Sequence, residues 1–404
     1  MVTVLAGTIG RLADEPRIAK ARALLRRTDD TTVEEQLRIA MIASPPFGED
    51  RRGEWVAARF ADIGLSNVHR DGEGNVLGTL AGTGDSDGAI IVAAHLDTVF
   101  PADTPLHVRK EGHRLYVPGI ADNARGLAAL LAIARALTAS GVAPTRTVVL
   151  AGTTGEEGIG DLRGVKYLFR EDGGFRGAAA FIALDGTDSR RIVTSAVGSK
   201  RFRIAIRGPG GHAWADRGSA NAAHALGDVL SALSALRLPP RPAWSLNVGR
   251  IGGGTSINAI PEEAWLELDL RSEAGETLAS LEEFALARVR QAVRSANTHR
   301  LRGTAALTVD VDCIGSRPAG RTRLDSNLVD AAKEATRYIG RRPEVVASST
   351  DANVPMALGI PAIAIGAGGE SGGMHTVGEW YDNRKGPDGI VRALLTIMAV
   401  AGQD

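Results

Sequence analysis

Two imidazoles and five carboxylates carry the chemistry available to this sequence: His95, Asp97, Asp122, Glu156, Glu157, Asp185 and His375. They are far apart along the chain, yet each falls in a loop at or beyond the end of an apolar run. Five carboxylates gathered at one sheet edge would raise each other's pKa values or push the loops apart unless a cation is present. Imidazole with carboxylate suits zinc, and the single Cys313 leaves no thiolate set. One carboxylate bridging two ions, with a histidine and a further carboxylate for each, gives a two-metal site. Asp122 is the natural bridge, His95 with Asp185 one terminal pair, and Glu157 with His375 the other. His95 and Asp97 are two apart on an extended chain, so they face the same way. A metal-binding histidine commonly gives its second ring N–H to a carboxylate, the part assigned to Asp97. Glu156 neighbours a ligand without needing to be one, which suits a general base that takes a proton from water.

The elements that must position these residues can be read from the same sequence. Ala89–Ala94 is uniformly apolar, as a strand buried on both faces should be. Thr147–Ala151 and Ala178–Leu184 repeat the design, the first running into Gly155-Glu156-Glu157-Gly158 and the second into Asp185-Gly186. Gly119-Ile120-Ala121-Asp122-Asn123 feeds a small-residue helix over Gly126–Ser140, and Ala362–Ile365 is a strand followed by a glycine-rich loop that leads to Met374-His375. Helices are expected over Glu15–Arg26, Thr32–Ala43 (opened by a capping box, Thr32-x-x-Glu35), Arg51–Ile63, Leu324–Tyr338 and Asp388–Ala401. Asp71 to Asn75 is a turn before a strand at Val76–Leu80.

Residues 196–313 read as a separate unit. Strands at Arg201–Ile206, Leu246–Ile251, Trp265–Arg271 and Ala306–Val311 would form a small sheet. Two helices cover one face, one striped by Ala222, Leu226, Val229, Leu230 and Leu233 and the other over Leu278–Ser295. The expected organisation is therefore a catalytic domain in two parts, residues 1–195 and 314–404, interrupted by an inserted α+β domain at 196–313. Its fold class is α/β, with a mixed, largely parallel sheet flanked by helices.

Length and charge narrow the function classes. The 404 residues exceed what one core usually serves. Lys plus Arg and Asp plus Glu both number 47, so no net field draws the chain to nucleic acid or to an anionic membrane. The apolar runs are too short to span a bilayer, and Met1–Gly7 lacks the basic flank and length of a signal peptide. A soluble, cytoplasmic protein acting on a small partner is the expectation.

The chain resembles the dizinc exopeptidases and deacylases that include peptidase T, carboxypeptidase G, aminoacylase and succinyl-diaminopimelate desuccinylase. The matching stretches are His95-Leu96-Asp97-Thr98-Val99, Gly119 to Asn123, Gly155 to Gly158, Leu184-Asp185-Gly186, Gly208-Pro209-Gly210-Gly211-His212, Gly254 to Pro261 and His375 to Trp380, in the family's order. The resemblance implies two zinc ions, with cobalt or manganese as substitutes, and an inserted domain that serves as a lid and as the interface of a homodimer. It implies that His212 and Asn258 reach a catalytic site, often the partner subunit's. Asn258 and Arg271 would then hold a substrate carboxylate, the His212 N–H would stabilise a developing oxyanion, and Ser349, Thr350 and Asp351 would contact the other end. Two departures are Ala213, where a polar residue usually follows the lid histidine, and Asn123 after the bridging aspartate. The expected activity is metal-dependent hydrolysis of an amide in a small substrate, foremost as a di- or tripeptidase. The alternatives are an N-acyl amino acid deacylase or carboxypeptidase and, remotely, a non-catalytic binding protein. Singly, Asp97, Glu156 and Asp185 also suit cap or turn positions. His212 could brace a glycine turn, Asn258 could form one, and Arg271 could be a surface ion-pair residue. His69, His107, His113, His224 and His299 match no motif.

Overall fold

The computed structural model describes residues 7–84 and 88–402. The stretch read for a signal peptide, Met1–Gly7, lies outside them except for its last residue. Contacts divide the chain into two compact units, with breaks at Ala196/Val197 and Ala319/Gly320.

The first unit is organised by a nine-stranded sheet. Its centre is four parallel strands, in the spatial order Val148–Thr153, Ile90–His95, Ala180–Leu184 and Ala362–Ile365. All four are buried along their whole length. Alternate side chains serve opposite faces. Ile90, Val92 and Ala94 pack with the helices Pro16–Arg27, Asp29–Ala40, Asp50–Ile63, Ala124–Ser140 and Gly386–Ala401, while Ile91 and Ala93 join a second core with Leu162, Val165 and Phe169. Antiparallel strands flank this centre: Ser66–Arg70 and Val76–Leu80 on one side, Arg191–Ala196 and Gly320–Arg321 on the other. Glu344–Ser348 adds in parallel to Arg191–Ala196. The mixed, largely parallel sheet flanked by helices is the fold class expected above.

Register decides what the strand ends bring together. Ala93 lies opposite Ala183 and His95 opposite Thr153. Two residues on from the first pair, His95 and Asp185 are level. Glu156 and Glu157 follow Thr153 on the other side of His95.

The second unit is an antiparallel four-stranded sheet, ordered Trp244–Gly253, Glu263–Ser272, Gly198–Arg207 and Thr308–Arg317. Helices Ala222–Ser234 and Gly275–His299 cover the face formed by Phe202, Ile204, Leu266 and Leu268. The strand Thr308–Arg317 runs past residue 313, where the sequence reading closes the insertion. It must do so because its partner Gly198–Arg207 needs pairing along its length, down to Ser199 opposite Arg317. The expected capping box is also absent. The helix starts at Asp29, so Thr32 lies inside it and its hydroxyl donates to the Thr28 carbonyl, while Glu35 forms a bidentate pair with Arg135.

Candidate metal centre

Asp122 is the meeting point of the first unit. His95 Nε2 lies 3.0 Å from its Oδ1 and His375 Nε2 lies 3.0 Å from its Oδ2, so one carboxylate addresses two imidazoles through separate oxygens. Glu157 Oε1 is 3.2 Å from the same His375 nitrogen. Three overlapping groups have donor atoms within 4.8 Å of one another: His95 with Asp122 and Asp185, Asp122 with Glu157 and His375, and His95 with Glu156 and Glu157. The first two share Asp122.

The electrostatics follow from burial and crowding. Burial alone would raise the Asp122 carboxyl, but the hydrogen bonds to His375 and His95 outweigh it and hold the group well below its usual range. Burial pushes Asp185 up to about 7, and the charges on Asp122 and Glu157 add to the rise. His375 goes up to about 10 through its bonds to Asp122 and Glu157. Burial works against a charged His95, yet the same carboxylate contacts keep it well above its ordinary value. Without cations, protons on the imidazoles would compensate the anionic cluster. Divalent cations compensate it equally, and a set of two imidazoles with carboxylates and no thiolate fits zinc, with cobalt or manganese as substitutes.

Two loops place these groups, each gripped by side chains. In the first, Gly119–Asp122, the buried Glu379 accepts the amides of Gly119, Ala121 and Asp122 at 2.8–3.0 Å. Gln36 donates to the Ile120 carbonyl, completing the grip. Gly119 has φ +77°, and a Cβ there would lie 2.7 Å from Thr98 Cγ2. Asn123 caps the following helix through the Gly126 amide and donates to the Leu184 carbonyl, which ties the bridging aspartate to the loop of Asp185.

In the second loop, four successive amides each find a side-chain acceptor. Thr154 donates to Asn75 Oδ1, Gly155 to Glu49 Oε1, Glu156 to Asp97 Oδ1 and Glu157 to Asp97 Oδ2. Asp97 therefore does more than the sequence reading assigns to it. The nearer partner of His95 Nδ1 is the Asp97 carbonyl oxygen at 3.0 Å, with the carboxylate at 3.5 Å. The carboxylate's two short bonds go to the amides of Glu156 and Glu157. Although burial opposes it, the His95 contact and these amides keep Asp97 below the usual carboxylate range.

Asp351 stands differently from its expected role. It is 3% exposed and accepts a hydrogen bond from Thr153 Oγ1, so it presents little surface to a substrate. Its charge does reach Asp185. The remaining substrate candidates lie in the second unit. Gly211–His212 pairs with Ala259–Ile260, and the Ala213 amide donates to the Asn258 carbonyl, which sets His212 and Asn258 side by side in one exposed ribbon. His212 Nδ1 accepts from the amides of Trp214 and Ala215, so a neutral ring carries its proton on Nε2. Arg271 is elsewhere: it pairs with Asp269 near the far end of the ten-residue strand that the ribbon leads into at Glu263. Eight residues of strand separate Glu263 from Arg271, about 27 Å.

Glu49, Asn75 and Glu379 were not singled out from the sequence. Only Glu379 had a signal, as a member of the stretch His375 to Trp380.

The comparisons agree with this architecture. The chain is 27% identical over 363 residues to the uncharacterised protein YqjE of Bacillus subtilis, covering 86% of this chain and 92% of that one. To the acetylornithine deacetylase of Yersinia pseudotuberculosis it is 30% identical over 222 residues, 50% of this chain and 54% of the relative. Among solved structures, the aminopeptidase PepT of Bacillus cereus superposes with a TM-score of 0.73 at 24% identity, over 92% of this chain and 98% of the other. Residues 91–399, which hold all five ligand candidates, match peptidase family M20/M25/M40, and the chain belongs to that family.

Proposed function

We propose that this protein is a two-metal hydrolase that cleaves an amide bond in a small substrate, foremost a di- or tripeptide with a free amino terminus. The observation that carries the reading is Asp122 offering one oxygen toward His95 and the other toward His375, with Asp185 and Glu157 beside them. His95, Asp122 and Asp185 would hold one ion, and Asp122, Glu157 and His375 the other; zinc is the first expectation. When bound, such ions lower the pKa of water and polarise a carbonyl. Glu156 shares a donor group with His95 and Glu157, and its role is to accept the proton of the attacking water and return it to the leaving nitrogen. Asp97 keeps Glu156 aimed through its amide. His212 offers its Nε2 proton to the oxygen that gains charge. The name of the Bacillus cereus neighbour, an aminopeptidase, favours the peptidase reading.

A second reading, removal of an acyl group from an amino acid, is favoured by the acetylornithine deacetylase relative and by Arg271, whose guanidinium can grip a carboxylate. A homodimer through the inserted domain would let the ribbon of one copy serve the partner's site. Among the described residues no helix is long and apolar enough to cross a membrane.

The test is a metal-defined assay of Ala-Ala-Ala against its N-acetylated and C-amidated forms. Preference for the free amine supports the peptidase, and preference for the acylated form the deacylase. Glu156→Ala should keep both ions and lose about 10²- to 10⁴-fold in turnover. Unchanged turnover removes Glu156 from the mechanism. Mixing Glu156→Ala with His212→Ala should restore part of the activity if the ribbon serves the partner's site, and none if each chain works alone.

A further inference from the structure

Glu49 belongs to no stretch that identifies the family's metal ligands, yet it sits directly behind two of the acidic residues. It precedes the helix Asp50–Ile63, is 4% exposed, and accepts the Gly155 amide at 3.1 Å. Its other oxygen lies 2.6 Å from Arg163 Nη2. Arg163 in turn donates to the Thr154 hydroxyl and to the Glu73 carbonyl, so the pair closes over the back of the loop. Gly155 has little freedom left. Its carbonyl accepts the Leu162 amide, its φ is +65°, and a Cβ would lie 2.7 Å from Arg163 Cγ. The next two residues are Glu156 and Glu157.

We propose that Glu49 is a positioning residue: by accepting the Gly155 amide it sets the direction in which Glu156 and Glu157 leave the strand, and with it the geometry of the second cation site. A flexible loop would have to be ordered by the incoming ion, at a cost in affinity. A loop already fixed presents Glu157 to the ion and Glu156 to water. The essential feature is an acceptor at the right reach, rather than a negative charge. This inference rests on the two-metal reading of the site.

Two variants separate acceptor from charge. Glu49→Gln keeps an oxygen for the Gly155 amide but loses the charge and the acceptor of Arg163; Glu49→Asp keeps the charge and withdraws the oxygen by one methylene. In the full-length protein, Co²⁺ titration should give a second ion bound about 10- to 100-fold more weakly in Glu49→Asp, the range seen when the outer partners of metal ligands are removed. Glu49→Gln should stay within about threefold of the parent. With saturating metal, kcat should fall in Glu49→Asp with KM nearly unchanged, and Glu49→Gln should restore it. Hydrogen exchange of the Gly155 amide in the metal-free protein should quicken in Glu49→Asp and remain slow in Glu49→Gln. The reverse ranking, or equal losses in both variants that track thermal stability alone, would overturn the proposal. If Glu49→Asp does not fold, a Glu49→Gln that binds the second ion weakly while its Gly155 amide still exchanges slowly overturns it by itself. A parent protein that binds fewer than two ions while Gly155 exchange follows the expected ranking would sink the two-metal reading and leave the loop contact standing.

Discussion

The two halves of the candidate metal centre are built by different means. His95 ends one strand and Asp185 directly follows the end of the neighbouring parallel strand, level with each other because Ala93 pairs with Ala183, and their placement comes from the sheet. Glu157 and His375 stand on loops. Glu157 is aimed by the clamp on residues 154–157, and His375, in a left-handed conformation with φ +63°, has 54% of its side chain exposed. Backbone ladders order one half; individual polar side chains order the other. Asp122 joins them, so its removal should have the largest effect. Asp122→Ala is expected to abolish binding of both ions and to lower turnover at least about a thousandfold, some 4 kcal/mol of barrier. Metal analysis after dialysis checks the first part. Retention of one tightly bound ion would show that the halves are not joined through this carboxylate.

Comparing His95→Ala with His375→Ala sharpens the contrast. His95 is 2% exposed and paired with the buried Asp122 and Asp97, so its loss leaves buried charge uncompensated. The metal-free variant should be destabilised by about 3–5 kcal/mol in urea unfolding. His375→Ala should stay within about 1 kcal/mol of the parent, because that ring is largely exposed. It should instead bind one ion where the parent binds two. Equal destabilisation by the two variants would erase the distinction between a strand-built and a loop-built half.

A smaller effect lies in pH. In the metal-free protein the folded-state pKa of His375 is raised to about 10 by its bonds to Asp122 and Glu157. Its protonated form therefore contributes fully to stability below the unfolded value, about 6.5. The contribution fades as pH rises toward 10. Asp185, raised to about 7 chiefly by burial, acts in the same direction at lower pH, between about 3.8 and 7. The melting temperature of the metal-free parent should fall between pH 6.5 and 10, with a shallower fall in His375→Ala. Saturating zinc should flatten the curve, because the ion takes the place of the protons. Proton release on zinc addition, followed in a weakly buffered solution, checks the same linkage. A metal-free curve as flat as the loaded one would count against these hydrogen bonds.

The same division explains what could be read in the sequence. A strand buried on both faces has to be a continuous apolar run, so the polar residues that end it are conspicuous; His95, Glu156, Glu157 and Asp185 all come from such ends. The exposed edge strand Ser66–Arg70 has no such contrast. Arg191–Ala196 was hidden because the run into residue 196 reads as the approach to a new unit. Thr32 and Glu35 matched a capping box by spacing alone, and tertiary pairing of Glu35 with Arg135 serves a different end. Glu49, Asn75 and Glu379 leave no periodic trace at all. A side chain that accepts a distant backbone amide needs only reach and an oxygen, and its partner lies 79 to 260 positions away.

The smallest expected effect tests where the clamp on the second half ends. Glu73 Oε1 touches Arg163 Nη1 at 2.8 Å, with a third of its side chain exposed. The other bonds of Glu73 in this region are made by its backbone: its carbonyl accepts from Arg163 and from the Thr154 hydroxyl, and its amide donates to Asp71. Glu73→Ala removes only the outer ion pair, which is worth up to about 1 kcal/mol at such a position. Arg163 keeps its bond to Glu49, and the Gly155 amide keeps its acceptor. Stability should therefore drop slightly, while second-ion affinity and kcat stay at parental values. If Glu73→Ala weakened the second ion as much as Glu49→Asp, the Arg163 guanidinium rather than the Glu49 oxygen would be what holds the loop. The boundary between the half ordered by the sheet and the half ordered by side chains would then lie one residue further out.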